Sequence, residues 1–174
     1  MHRLYELDLD LCLKCNRIGA SRFVELMFRA ASRLGDGMVW YALMAGFPLL
    51  YGRSGWLVSA HMLAAGLPAL LVFRYLKHRT LRPRPCAVTA RVQQRTRALD
   101  EFSFPSGHTL HAVCFTTVIC GHIPASTWLL IPFTALVALS RPVLGLHYPS
   151  DVVAGAALGG TIAAATWLLP WFSW

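Results

Sequence analysis

The sequence predicts an all-α fold: an integral membrane helical bundle of five, or six, transmembrane helices preceded by amphipathic N-terminal helices. Three observations carry this. The 174-residue chain is 56% hydrophobic and only 14% charged, against roughly 25% charged for a typical soluble domain. Between Phe102 and Trp174 only Arg141 and Asp151 carry a formal charge, too few to wet a soluble surface. Five apolar segments follow one another behind a mixed N-terminal stretch. At this length the chain reads as a single domain over 1–174, with interfacial helices at 1–36 and a transmembrane bundle at 37–174.

In residues 1–33, Leu4, Leu7 and Leu11 have helical spacing, as do Phe23, Leu26, Met27 and Ala30. Arg22, Glu25, Arg29 and Arg33 interrupt the second group, so these stretches predict interfacial helices and not a span. They hold no long apolar core, so no cleavable signal peptide is expected. Gly35-Asp36-Gly37 then punctuates the chain.

The apolar segments run over 38–51, 55–76, 106–120, 126–140 and 152–172. A bilayer core needs about 20 helical residues if crossed straight. The second and fifth reach that; the others call for tilt or local thinning. The last is rich in Gly and Ala, which lets helices approach closely in lipid. Trp167, Trp171 and Trp174 suit an aromatic belt at its end. His61 falls mid-span and is expected to face the bundle interior.

The net charge is +8, and eight of the sixteen Lys and Arg residues lie between Arg74 and Arg97. Anionic headgroups or a phosphorylated substrate would each answer that charge. The run sits between apolar spans, which argues against a nucleic-acid partner. Five cysteines assign no disulfide. Cys12 and Cys15 form a lone C-x2-C without a second pair at metal spacing, and Cys114 and Cys120 read as packing residues.

Three clusters carry chemistry. Lys77, Arg84 and Pro85 are spaced K-x6-R-P; Pro105-Ser106-Gly107-His108 opens an apolar helix; Ser140, Arg141, His147 and Asp151 are spaced S-R-x5-H-x3-D. Ser106 can cap a helix and Gly107 admits a ligand to the backbone, where free N–H groups favour an anion. An isolated P-S-G-H would be an ordinary helix start, but His108 is placed to give a proton to such an anion. His147 and Asp151, four apart, share a helical face. A carboxylate on one imidazole nitrogen fixes the tautomer and leaves the other for attack. Asp151 alone could merely favour a helix N-terminus, but that does not account for Arg141. Lys77, Arg84 and Arg141 would stabilise phosphoryl oxygens.

Together the three clusters resemble the signature of the PAP2 superfamily, the type-2 phosphatidic acid phosphatases related to vanadium haloperoxidases, at every fixed position over residues 77–151. The resemblance implies a membrane lipid phosphatase acting on a polyprenyl diphosphate such as undecaprenyl diphosphate, or on phosphatidylglycerophosphate or phosphatidic acid. In it His147 would attack phosphorus, Asp151 would orient His147, and His108 would protonate the leaving oxygen and then activate water. Lys77, Arg84, Ser106, Gly107 and Arg141 would bind the phosphate oxygens, with no metal and no cofactor. His78, His111 and His122 fall outside the motifs and read as structural. With five spans the motifs share one face, which bacterial relatives generally place outside the cytoplasm of the inner membrane, although the positive-inside rule taken alone points the basic run inward. Lipid-to-lipid phosphotransfer would use the same residues. A catalytically silent scaffold would not need the His147 and His108 pair.

Overall fold

A computed structural model describes residues 2–172, all of its regular elements helical. Trp174, one of the three expected belt residues, lies outside the described residues. The helices are α1 (His2–Ile18), α2 (Arg22–Leu34), α3 (Met38–Thr80), the short α4 (Pro85–Val88), α5 (Gly107–His122), a 3-10 turn at Pro124–Ser126, α6 (Thr127–Val143) and α7 (Pro149–Thr166).

Helix α3 has 43 residues, which would span roughly 64 Å if straight, twice an apolar bilayer core. It doubles back instead at Gly52, whose φ of 55° and ψ of −126° leave the helical region. Only glycine takes such a conformation readily. The two limbs, over 38–51 and 53–80, then touch backbone to backbone. A Cβ on Gly55 would fall 1.9 Å from the Phe47 carbonyl oxygen, and Ser59 Oγ donates to the Met44 carbonyl at 2.7 Å. The first two apolar segments of the sequence are these limbs.

Helix α5 is the hub, packed against α3, α6 and α7. The Gly/Ala composition of α7 explains how closely it lies on α5. A Cβ on Gly155 would sit 2.6 Å from the Ser106 carbonyl oxygen, and one on Gly159 2.2 Å from that of Leu110. Trp40, Met62, Leu110, Val118, Ile119 and Val137 fill the centre. The outside of the bundle is also apolar: Leu49, Leu50, Leu67, Trp128, Leu129 and Val153 are all exposed. A bundle with apolar groups both inside and outside is built for lipid. Among the described residues, α3 and the 124–143 segment are long and apolar enough by themselves to cross a membrane.

Two expectations need correction. The last helix ends at Thr166 and not near 172, because α7 is capped by turns through 167–172. Trp171 is exposed, but Trp167 turns inward and packs on His61 and His122 at 4.6 and 4.7 Å. His61 is fully buried there, bonded to His122 and to Thr166 Oγ1, each at 2.9 Å. The N-terminal helices pack against the bundle at α6 and α7. Leu4, Leu7, Phe23 and Leu26 face outward, as an interfacial helix requires, while Cys12, Asn16, Phe28 and Ser32 are buried. Asn16 Nδ2 donates to the carbonyls of Gln93 and Val143 at 2.9 and 3.0 Å, tying α1 to the connection over 81–106. Cys12 is a free thiol that burial, and then neighbouring Cys15, pushes up to about 12. It is a packing residue and not a thiolate ligand.

Candidate active site

The elements that carry the motifs end together. The C-terminus of α3 brings Lys77, that of α6 brings Arg141, and the N-terminus of α5 brings Gly107 and His108. The turn over 144–148 brings His147. These five residues and Arg84 line one cavity of about 410 Å3. Its other wall is apolar: Trp40, Met44, Leu67, Phe73 and Phe115. His111 also lines it, its Nδ1 donating to the Gly107 carbonyl at 2.9 Å.

His147 is 2% exposed. Its Nδ1 lies 2.6 Å from the Ser103 carbonyl oxygen. A carbonyl can only accept, so Nδ1 carries the hydrogen and Nε2 keeps its lone pair. Nε2 faces Arg84 Nη1 at 3.2 Å. Burial first, and then the positive charges of Arg141, Arg84 and Lys77, hold His147 well below the ordinary histidine value. The imidazole is therefore neutral at physiological pH.

The direct partner of His147 is not the expected carboxylate. Asp151 Oδ2 stands 3.7 Å from His147 Nδ1, beyond a hydrogen bond. The direct partner is the backbone of Ser103, a position no side-chain motif marks. Asp151 instead accepts from the Tyr148 N–H at 2.8 Å and from Arg82 at 2.7 Å. Arg82 also pairs with Asp8 of α1 at 2.7 Å and lies 4.0 Å over the Tyr148 ring. Asp151 thus fixes the turn that carries His147 and supplies negative charge beneath it. Ser103 is delivered by the fold-back of the 81–106 connection, where its N–H donates to the Arg82 carbonyl at 2.8 Å.

The cations converge as expected but not empty-handed. Lys77 Nζ and Arg84 Nη2 both hold Asp100, at 2.6 and 2.5 Å. Burial alone would raise the Asp100 carboxyl; the Lys77 and Arg84 pairs outweigh it and hold it below its ordinary value. Arg84 is anchored further by the Leu146 carbonyl at 2.6 Å. Arg141 donates to Ser32 Oγ of α2 at 2.6 Å, and its buried Nε makes no hydrogen bond. A buried guanidinium donor without a partner is costly, and an anion in the cavity would satisfy it. At the α5 N-terminus Ser106 holds the cap position, but its hydroxyl meets Thr109 Oγ1 at 2.9 Å and no backbone N–H. Ser106 and Asp151 are buried beside the cavity without lining it. Gly107 does line it, and a Cβ there would strike the Phe73 ring at 2.7 Å. Next to it His108 Nε2 pairs with Asp36 Oδ1, which also lines the cavity. The site can hold a tetrahedral anion between three cations, with a neutral imidazole nitrogen directed at it and an apolar wall leading away.

The PAP2 superfamily model matches residues 54–174. A decaprenylphosphoryl-5-phosphoribose phosphatase of Mycobacterium tuberculosis is 34% identical over 142 residues, covering 78% of this chain and 75% of the relative. A transmembrane PAP2 type phosphatidylglycerolphosphate phosphatase from Bacillus subtilis superposes with a TM-score of 0.80 at 21% identity, over 95% of this chain and 85% of that one. Aquifex aeolicus LpxE superposes with a TM-score of 0.75 at 22% identity, over 92% and 94%. At those identities the two structures speak for the fold.

Proposed function

Because this chain belongs to the PAP2 superfamily and is a membrane lipid phosphatase, we propose that it hydrolyses its substrate through a phosphohistidine on His147. His147 Nε2 attacks phosphorus while Lys77, Arg84, Arg141 and the first N–H groups of α5 around Gly107 hold the equatorial oxygens. Ser106 supports that helix start from behind. The P–O bond to the lipid breaks as His108 gives its proton to the leaving oxygen. Water then attacks the phosphohistidine, returning a proton to His108, and inorganic phosphate departs. Asp151 steadies the imidazole through the turn it caps. Asp100 yields Lys77 and Arg84 when the substrate phosphate enters. The observation that carries this reading is a buried neutral imidazole, its Nδ1 held by Ser103, with Nε2 turned into a three-cation cavity.

The apolar wall from Phe73 toward Trp40 would take the first carbons of the lipid. We favour a polyprenyl-linked phosphate or diphosphate, because the Mycobacterium tuberculosis relative is named for a decaprenyl-linked substrate; a glycerophospholipid phosphate is the other class that fits. Purified protein is tested on a panel of undecaprenyl diphosphate, phosphatidylglycerophosphate and phosphatidate with labelled terminal phosphate. The label is expected in water as inorganic phosphate; label recovered in a second lipid would mean phosphotransfer. The catalytic end is proposed to face out of the cytoplasm of a bacterial inner membrane. Intact cells would then hydrolyse a membrane-impermeant aryl phosphate, whereas hydrolysis confined to inverted vesicles would reverse the orientation.

The charge state of His147 sets an acid limit. The nucleophile must be neutral, and its protonation lies well below the ordinary value because burial and Arg141 oppose the charge. Phosphoenzyme formation should therefore not be lost as pH falls through about 6.5, the ordinary histidine value, and should decline only well below it. Removing the Arg141 charge (Arg141→Gln) relieves one opposing cation and should move that acid limb upward, besides slowing the reaction. A pH profile of single-turnover rates checks both.

A further inference from the structure

We propose that Asp36 is a positioning residue for His108, holding Nε2 so that Nδ1 is the nitrogen that hands its proton to the leaving oxygen. The inference rests on the acid–base role proposed for His108 above. Asp36 Oδ1 is the partner of His108 Nε2, and Nδ1 makes no hydrogen bond among the described residues. A carboxylate accepts, so Nε2 keeps its hydrogen throughout and the transferable proton sits on Nδ1. The loop is shaped for this. Gly35 is pressed on α6, where a Cβ would meet Val137 at 2.8 Å, and Gly37 sits at a φ of +105° that strains any other residue. The glycines therefore bring Asp36 into the cavity from between two helices. The family match begins at residue 54, so this carboxylate comes from the segment that precedes it.

The charge around His108 makes such a partner useful. Arg141 from α6, His111 one turn along α5 and His147 from the turn over 144–148 all act on His108 or feel it, and Lys77 and Arg84 share the cavity. Asp36 is the anion bonded directly to the ring. In the reaction, the imidazolium gives its Nδ1 proton to the bridging oxygen as the His147–phosphorus bond forms and the lipid P–O bond breaks. Neutral His108, still donating Nε2–H to Asp36, then takes a proton from the attacking water as the nitrogen–phosphorus bond breaks.

The test compares leaving groups in single turnovers. An alkyl phosphate needs a proton on departure; p-nitrophenyl phosphate does not. His108→Ala should slow alkyl release by roughly 100-fold or more and aryl release far less, the size usual for general acid catalysis. Asp36→Asn should repeat that pattern at smaller scale, about tenfold on alkyl and under about threefold on aryl, with KM little changed. The double variant should be no slower than His108→Ala, since the two act as one unit, and Asp36→Glu should recover part of the loss. Equal losses on both substrates, additive losses in the double variant, or a faster Asp36→Asn enzyme with lowered KM would overturn the proposal. If His108→Ala itself shows no leaving-group preference, the acid–base reading fails first and takes this inference with it.

Discussion

Replacing His147 by alanine lowers phosphate release from a lipid phosphate by about 10^4-fold or more, the scale on which losing a catalytic nucleophile is felt. The cause is specific. His147 carries a lone pair on Nε2 because Nδ1 is tied to the Ser103 carbonyl, and that nitrogen faces the Arg84 guanidinium among the cavity's cations. His111 Nδ1 donates likewise to the Gly107 carbonyl, but its ring packs between Phe73 and Phe115, and His108 Nε2 is held by Asp36. His147→Gln should be as inactive, since an amide cannot carry the phosphoryl group. The replacement leaves the cation cradle in place, so the variant should still bind orthovanadate or inorganic phosphate, measured by a shift in melting temperature. Substantial residual turnover would move the nucleophile elsewhere.

The second large effect is on stability. Gly159→Val should destabilise the bundle by roughly 3 kcal/mol, at the upper end of what overpacking costs, because its Cβ would sit 2.2 Å from the Leu110 carbonyl oxygen. That contact is backbone on the α5 side, so no side chain can turn away to relieve it. Any relief must separate α5 from α7, and with them His108 from the turn that carries His147. Activity should fall with melting temperature. Gly160 is the control: a Cβ there finds its nearest neighbour, a Val113 methyl, at 3.8 Å, so Gly160→Ala should behave like the parent. Equal behaviour of the two variants would show that the α5–α7 approach is not set by Gly159.

Much of this was legible in the sequence because of two kinds of signal. Charge scarcity over 102–174 marked Arg141 and Asp151 before any fold was known, and both are buried at the site. Fixed spacings marked Lys77, Arg84, His108 and His147, which line one cavity. What stayed hidden follows from physics that leaves no periodic trace. The partner of His147 is a backbone carbonyl, and any residue has one. Asp100 lies in the 81–106 connection, where no period says which carboxylate turns inward; of the neighbouring pair Asp100 and Glu101, only Asp100 meets Lys77 and Arg84. Ser32 belongs to a segment whose helical amphipathicity reads as membrane-surface, although its depth comes from packing on α6, and Asp36 sits in the Gly-Asp-Gly turn after it, a punctuation that does not mark a cavity residue. The inward turn of Trp167 goes with the pairing of buried His61 and half-buried His122, a contact between residues far apart in the chain.

The central claim is a covalent intermediate on one histidine, and it can be trapped. Labelled lipid phosphate is mixed with enzyme, quenched in alkali within the first turnover, and the peptides are sequenced by mass spectrometry. The account predicts one phosphoryl group, acid-labile and alkali-stable, on His147 and absent from His147→Ala. Full turnover with no phosphoryl group on any histidine, or with the label on His108, would contradict it.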